Sequence, residues 1–188
     1  MKRIILASAS PRRSELLKSH GIEFEVIVSD AEETNVGETP KAIAEKNAFF
    51  KAKAVYDSLE NKENIIVIGA DTVVALGNTI YGKPKDKEDA VNMLNNLSGK
   101  EHSVITGVAI ITTENGQIKL LTPSEETKVK FKTLTAQEIE DYTNSSEPYD
   151  KAGSYAIQGN AKVFIEYIEG DYENVIGLPA GKIKKYLI

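Results

Sequence analysis

The sequence contains no cysteine. That absence excludes disulfides and thiolate metal sites, and it makes a reducing compartment, the cytoplasm, the natural setting. Long apolar runs are missing too, since none approaches the ~18 residues of a membrane span. The start, Met1-Lys2-Arg3-Ile4-Ile5-Leu6-Ala7, has a basic pair and then only a short apolar stretch. A secretory leader needs an apolar core of about 7–15 residues, so neither export nor membrane association is expected. A broadly basic surface is also absent. The net charge of −5 argues against stable, nonspecific nucleic-acid binding, but it leaves room for a local cationic pocket. There is no P-loop, no Ser-His-Asp arrangement and no GxGxxG fingerprint. Internal repeats, low-complexity segments and linkers are missing as well. His20 and His102 lack metal-ligand spacing and read as structural.

What is present suits a globular α/β chain. The 188 residues fit one domain, or one body with two lobes, spanning 1–188. Residues 3–7 read as a short buried strand. A helix follows, with Leu16 and Leu17 inward and Gly21 after it. Phe24, Val26 and Val28 alternate with Glu25 and Ile27, which predicts a second strand. Residues 30–38 are polar and acidic and read as a loop. Thr39-Pro40 then opens a helix to about Leu59, with an apolar stripe through Ala44, Ala48, Ala52 and Val55.

Residues 65–76 form a near-continuous apolar run, as in a strand covered on both faces. Gly77-Asn78 offers a tight turn, and residues 86–97 read as a helix. Residues 103–113 and 117–121 read as a hairpin around Asn115-Gly116. Lys128, Lys130 and Lys132 mark the wet face of a strand. Thr135 and Glu138 form a capping-box pattern. Residues 144–153 read as a loop, 163–168 as a strand and 179–187 as a closing helix. Several neighbouring strands are joined by short turns, so the sheet is expected to be mixed.

Three places carry chemistry. In Ser8-Ala9-Ser10-Pro11-Arg12-Arg13, Ser10 suits a helix N-cap and Pro11 the first helical position. Arg12 and Arg13 then fall in the first turn, where the helix end is already positive. Free amides, Ser8 and Ser10 hydroxyls and two guanidiniums converging there make an anion site. The competing reading leaves both arginines in solvent, or paired with Glu15 or a distant acid. In Ala70-Asp71-Thr72, a carboxylate interrupts an apolar strand, which is costly unless it is paired or metal-bound. Asp71 therefore fits a general base or a cation ligand; otherwise it is a structural aspartate accepting backbone hydrogen bonds. The third place is a pair of loops, Gly82-Lys83-Pro84 and residues 150–159. Lys83 and Lys151 suit phosphate oxygens, and Gln158 beside Gly159 can present an amide to a base edge. In isolation, loop lysines are more often solvated. Glu32 and Glu33, in the acidic loop, are candidate metal ligands, although acidic loops are usually just solvated. Lys51 borders the apolar helix stripe at a position able to reach a cleft.

Together these segments resemble the Maf family of nucleoside triphosphate pyrophosphatases. The likeness is carried by Leu6-Ala7-Ser8-Ala9-Ser10-Pro11-Arg12-Arg13, Gly69-Ala70-Asp71-Thr72-Val73-Val74, Gly82-Lys83-Pro84 and Leu97-Ser98-Gly99 with His102. It continues through Thr106-Gly107-Val108, Asp150-Lys151-Ala152-Gly153-Ser154-Tyr155-Ala156-Ile157-Gln158-Gly159 and Gly177-Leu178-Pro179. These segments run in order along nearly the whole chain.

The resemblance implies an elongated mixed sheet flanked by helices, with two lobes and a cleft between them. It implies hydrolysis of a nucleoside triphosphate to the monophosphate and pyrophosphate, with a divalent cation, magnesium or manganese. The family's proton acceptor falls on Asp71, and its phosphate-binding and specificity positions fall on Arg12, Thr72 and Gln158. Its cleft lysines fall on Lys51 and Lys83, and an acid of its metal site on Glu33. The 151–159 stretch is similar to the branch acting on dTTP and UTP. By analogy a homodimer is the expected assembly. Asn47 departs from the family pattern, which carries an apolar residue there. Two rival readings remain: a non-catalytic nucleotide-binding regulator of cell division, and a phosphatase or nucleotidyltransferase using the same anion site.

Overall fold

A computed structural model describes residues 2–34 and 39–187. The expected loop over 30–38 is described as irregular through 34, and its part over 35–38 lies outside the described residues.

The framework is one mixed sheet. Its central pair is β3 (Ile65–Leu76) and β5 (Glu101–Glu114), antiparallel over most of their length. Both are apolar on both faces, as a doubly covered strand requires. On one side β1 (Arg3–Leu6) runs parallel to β3 and to β2 (Glu25–Val26). On the other, β5 pairs antiparallel with β7 (Ser124–Phe131), and β7 with β8 (Ile165–Glu169). The short strands β4 (Thr79–Tyr81) and β6 (Gln117–Leu121) extend hairpins from β3 and β5. The β5–β6 turn places Asn115 at φ 52 and Gly116 at φ 72, the left-handed pair that an Asn-Gly turn supplies with least strain.

Strand alternation sorts the helices onto two faces. Ile65 and Val67 face α2 (Pro40–Ser58) through Ala48, Ala52 and Val55. Ile66, Ile68 and Ala70 face the opposite side. There Leu16 and Leu17 of α1 (Pro11–Ser19) pack with Ile176 of α5 (Tyr172–Ile176) and Ile183 of α6 (Ala180–Ile183). Farther along the sheet a second core gathers Leu94 and Leu97 of α3 (Lys87–Leu97) and Ile139 of α4 (Ala136–Thr143) around Val104, Val129 and Phe131. These cores are the two lobes, and a cleft opens between them.

Most expected elements are present. Thr39 caps α2 by accepting from Ala42 N–H at 3.1 Å, and α4 opens with the capping box of Thr135 and Glu138. Four readings need correction. The strand expected over 24–28 shrinks to two paired residues, because β1 ends at Leu6; Val26 and Val28 are exposed. The strand expected from 163 begins at Ile165, after a 3-10 turn over 160–164. The loop over 144–153 contains short 3-10 turns, one of them Glu147–Asp150. The closing helix is a single α turn followed by a 3-10 turn. α5 escaped the sequence reading because five residues are too short to show a helical period.

Candidate active site

The cleft begins where the edge of β3 loses its neighbours. β1 covers β3 at residues 65–68 and β4 covers it at 74–76. Asp71 and Thr72 lie between, where β1 has turned away toward Ser8. Alternation sends Asp71 to the α2 face and Thr72 to the α1 and α5 face.

On the first face Asp71 is 7% exposed. A carboxylate so placed needs partners, and α2 supplies two. Lys51 Nζ donates to Asp71 Oδ1 at 2.7 Å, and Asn47 Nδ2 donates to Oδ2 at 3.1 Å. Lys51 also donates to Glu33 Oε1 at 2.7 Å. That hydrogen bond, helped by the charges of Lys51, Lys83 and Arg13, holds the Glu33 carboxyl below its ordinary range. Glu33 and Asp71 thus flank one point. That point is the Lys51 ammonium, and the two carboxylates are also the donor type that a divalent cation takes. Among the described residues no larger cluster of acidic or histidine ligands forms.

On the second face Arg13 is a rivet. Its Nε donates to the Gly177 carbonyl at 2.8 Å, Nη1 to Ser8 Oγ at 3.1 Å and Nη2 to Thr72 Oγ1 at 3.1 Å. Burial lowers its pKa below the usual guanidinium value, against the attraction of Asp71. The Thr72 hydroxyl also meets Thr106 Oγ1 at 2.9 Å. Arg12 differs: it lines the cleft and makes no hydrogen bond or ion pair among the described residues.

Ser10 sits at the N-cap position, but its side chain makes no capping bond, contrary to expectation. Instead Ser8 Oγ accepts from Ser10 N–H at 3.2 Å. The first-turn amides of α1 have no intrahelical acceptors.

The two loops of the rim are tied together by Gly153 N–H to the Gly82 carbonyl at 3.0 Å. Gly153 has φ 69, and a Cβ there would meet Val74 Cγ1 at 2.9 Å, so glycine is required. Lys83 is exposed on the rim and unpaired among the described residues, while Lys151 pairs with Asp150. Gln158 is exposed beside Gly159, which lies against the Glu147 carboxylate. Glu147 Oε2 accepts from Asn160 N–H at 2.9 Å and Oε1 accepts from Tyr142 OH at 3.1 Å.

The cleft has a volume of about 820 Å³, within the range of small-molecule sites. Of the candidates named from sequence, Glu32 is exposed and does not line it, while Ser8, Ser10, Arg12, Arg13, Glu33, Lys51, Asp71, Thr72, Lys83, Lys151 and Gln158 do. Five of these are cations, in a protein whose net charge is −5. Two contributors were not assigned roles from sequence. Asn47 shows only as a polar residue inside an alanine stripe, one turn before Lys51. Glu147 gives no signal, because its task exists only once the chain has folded.

A family model described as Maf-like protein matches residues 3–188. A dTTP/UTP pyrophosphatase of Acetivibrio thermocellus is 47% identical over 192 residues, covering 100% of this chain and 94% of that protein. One from Desulforamulus reducens is 51% identical over 185 residues, covering 97% of this chain and 94% of that protein. Among solved structures, a HAM1 protein from Coxiella burnetii matches 70% of this chain and 73% of its own, with a TM-score of 0.48 and 17% sequence identity.

Proposed function

Because the chain belongs to the Maf family, we propose that it hydrolyses dTTP and UTP to the nucleoside monophosphate and pyrophosphate. The relatives bearing that name match over 94% of their own lengths. The observation that carries the reading is that one cleft is lined by a buried carboxylate, Asp71, and by two cations, Arg12 and Lys83, that are unpaired among the described residues.

The triphosphate lies along the start of α1. Arg12, Lys83 and the free amides of the first helical turn neutralise its oxygens. Arg13 acts from behind, fixing Ser8 and Thr72 in place. Asp71 takes a proton from a water that attacks the α-phosphorus. A bond forms from that oxygen to phosphorus, the bond to the bridging oxygen breaks, and pyrophosphate leaves. Lys51 bridges Asp71 and Glu33 and holds both carboxylates in place. Charge stabilisation and placement supply most of the rate in such chemistry. Glu33 and Asp71 would hold a magnesium or manganese ion, which when bound neutralises phosphate charge.

The base is read by Gln158, whose amide offers both a donor and an acceptor. Thr72 contributes indirectly, since its hydroxyl is already shared among Arg13, Thr106 and Gly177. The cysteine-free composition and the absence, among the described residues, of a helix able to cross a membrane fit a cytoplasmic role in clearing the nucleotide pool, modified pyrimidine nucleotides included.

The test is a panel of common and modified nucleoside triphosphates, with magnesium or manganese and with product identification. Monophosphate plus pyrophosphate from dTTP and UTP is expected. Orthophosphate would make the chain a phosphatase, and no product from any nucleotide would favour a non-catalytic regulator.

A further inference from the structure

Helix α2 turns two polar side chains, one turn apart, toward a single carboxylate. Lys51 takes Oδ1 of Asp71 and Asn47 takes Oδ2. The rest of the Asn47 amide is also engaged. Nδ2 donates to the Thr34 carbonyl at 3.1 Å, and Oδ1 accepts from Thr34 N–H at 2.8 Å. The amide can point only one way, because both neighbours of Nδ2 are acceptors and the neighbour of Oδ1 is a donor. Asn47 is 3% exposed, so a leucine in its place would take the donor away from the buried Asp71 Oδ2 and release the Thr34 backbone from the helix.

An aspartate has little rotamer preference about its last torsion. The direction in which Asp71 presents its oxygens must therefore come from its partners. Asn47 holds Oδ2 in a buried bond and Lys51 meets Oδ1 in a part-buried one, so both oxygens are set from helix α2. Through Thr34 the same amide fastens the segment that carries Glu33, which Lys51 grips one residue earlier. Both acids of the site are thus indexed to one helix.

We propose that Asn47 is a positioning residue for the hydrolysis: it fixes the orientation of Asp71 and registers the Glu33 segment against it. This rests on the reaction proposed above.

The experiment compares the wild type with Asn47→Leu, which removes all three bonds at similar volume, and Asn47→Asp, which keeps an acceptor for Thr34 N–H but sets an oxygen against Asp71. Steady-state kinetics with dTTP and UTP are measured, together with binding of an α,β-imido pyrimidine triphosphate by calorimetry. In both variants kcat should fall about 10- to 100-fold, the scale on which small misplacement of a reacting group acts. KM and analogue affinity should stay near wild type, and the Asp variant should be at least as impaired as the Leu variant. Wild-type kcat in either variant, or a loss confined to KM and binding, would overturn the role. Failure of both variants to fold would do the same, because the requirement would then lie in the fold. An inactive wild type would instead count against the proposed reaction.

Discussion

The backbone oxygen of Ala48 occupies the space that a side chain at Gly69 would need: a Cβ built on Gly69 falls 2.1 Å from it. Gly107 stands in the same relation to Ala44, at 2.4 Å. These two glycines let the alanine stripe of α2 lie directly on β3 and β5, and that closeness brings Asn47 and Lys51 within reach of Asp71. Gly69→Ala or Gly107→Ala should push the helix away. Such overpacking costs about 1–3 kcal/mol, read as a lower denaturation midpoint. Turnover should fall further than stability explains, as Lys51 withdraws. Variants with normal turnover would detach the helix spacing from the chemistry.

Asp71→Asn keeps the volume and loses the proton acceptor. Turnover should drop about 10²- to 10⁴-fold, the range of general-base contributions. The fold should stay intact with a lowered melting temperature, since the new amide nitrogen must face one of two donors, Lys51 or Asn47. Pyrophosphate release at the wild-type rate would remove Asp71 from the proton-accepting role.

How far the site was legible in the sequence depended on whether a residue broke a local rule. Asp71 interrupts an apolar run, and Arg12 and Arg13 sit at the wrong end of a helix dipole. Each anomaly is visible in a few consecutive letters, and each residue lines the cleft. The long strands and α2 were equally plain, because their periods repeat over many residues. The two arginines looked alike, however, and only the fold separates them, since the partners of Arg13 lie up to 164 positions away. Asn47 and Glu147 act through neighbours that the chain brings together late. The strand over 24–28 misled because alternation reports a pattern of side chains without reporting whether a neighbouring strand is there to pair.

That separation of the arginines is testable. Arg12→Ala removes a cleft cation that is unpaired among the described residues, so it should raise KM for the triphosphate and leave the melting temperature unchanged. Arg13→Ala strands the Gly177 carbonyl and the Ser8 and Thr72 hydroxyls. It should lower stability by about 1–3 kcal/mol and reduce turnover too. Equal melting temperatures for the two variants would contradict the division of labour.

Gln158 and Glu147 form a second such pair. Gln158→Ala should narrow the preference for pyrimidine over purine triphosphates before it weakens binding of the triphosphate. Glu147→Ala removes the carboxylate that holds the backbone at Asn160, so it should blur the same preference without touching the base. A nucleotide panel run on both variants decides; an unchanged preference in Glu147→Ala would make that contact purely structural.

Acid should weaken the fold through His102. Its ring is 2% exposed and bonded to Tyr155 OH at 2.8 Å. It packs edge-on against Phe131 at 4.9 Å. Burial pulls its pKa from 6.5 down to about 4, against the opposing influence of the Lys100 backbone and the Glu101 charge. The unfolded chain therefore takes up a proton near pH 6.5 that the folded chain refuses until about 4. Between those values the unfolded state binds more protons, so stability falls as pH falls. The loss by pH 4 is about 3 kcal/mol. Glu138, held near 2 by Lys132 and Thr135 against an ordinary value of 4.5, acts only lower on the scale. The interval from 6.5 to 4.5 thus belongs largely to the histidine. Chemical denaturation across that interval should show a slope in the wild type that flattens in His102→Gln, which retains a polar group toward Tyr155 but cannot titrate. An equal slope in both proteins would assign the acid sensitivity to other groups.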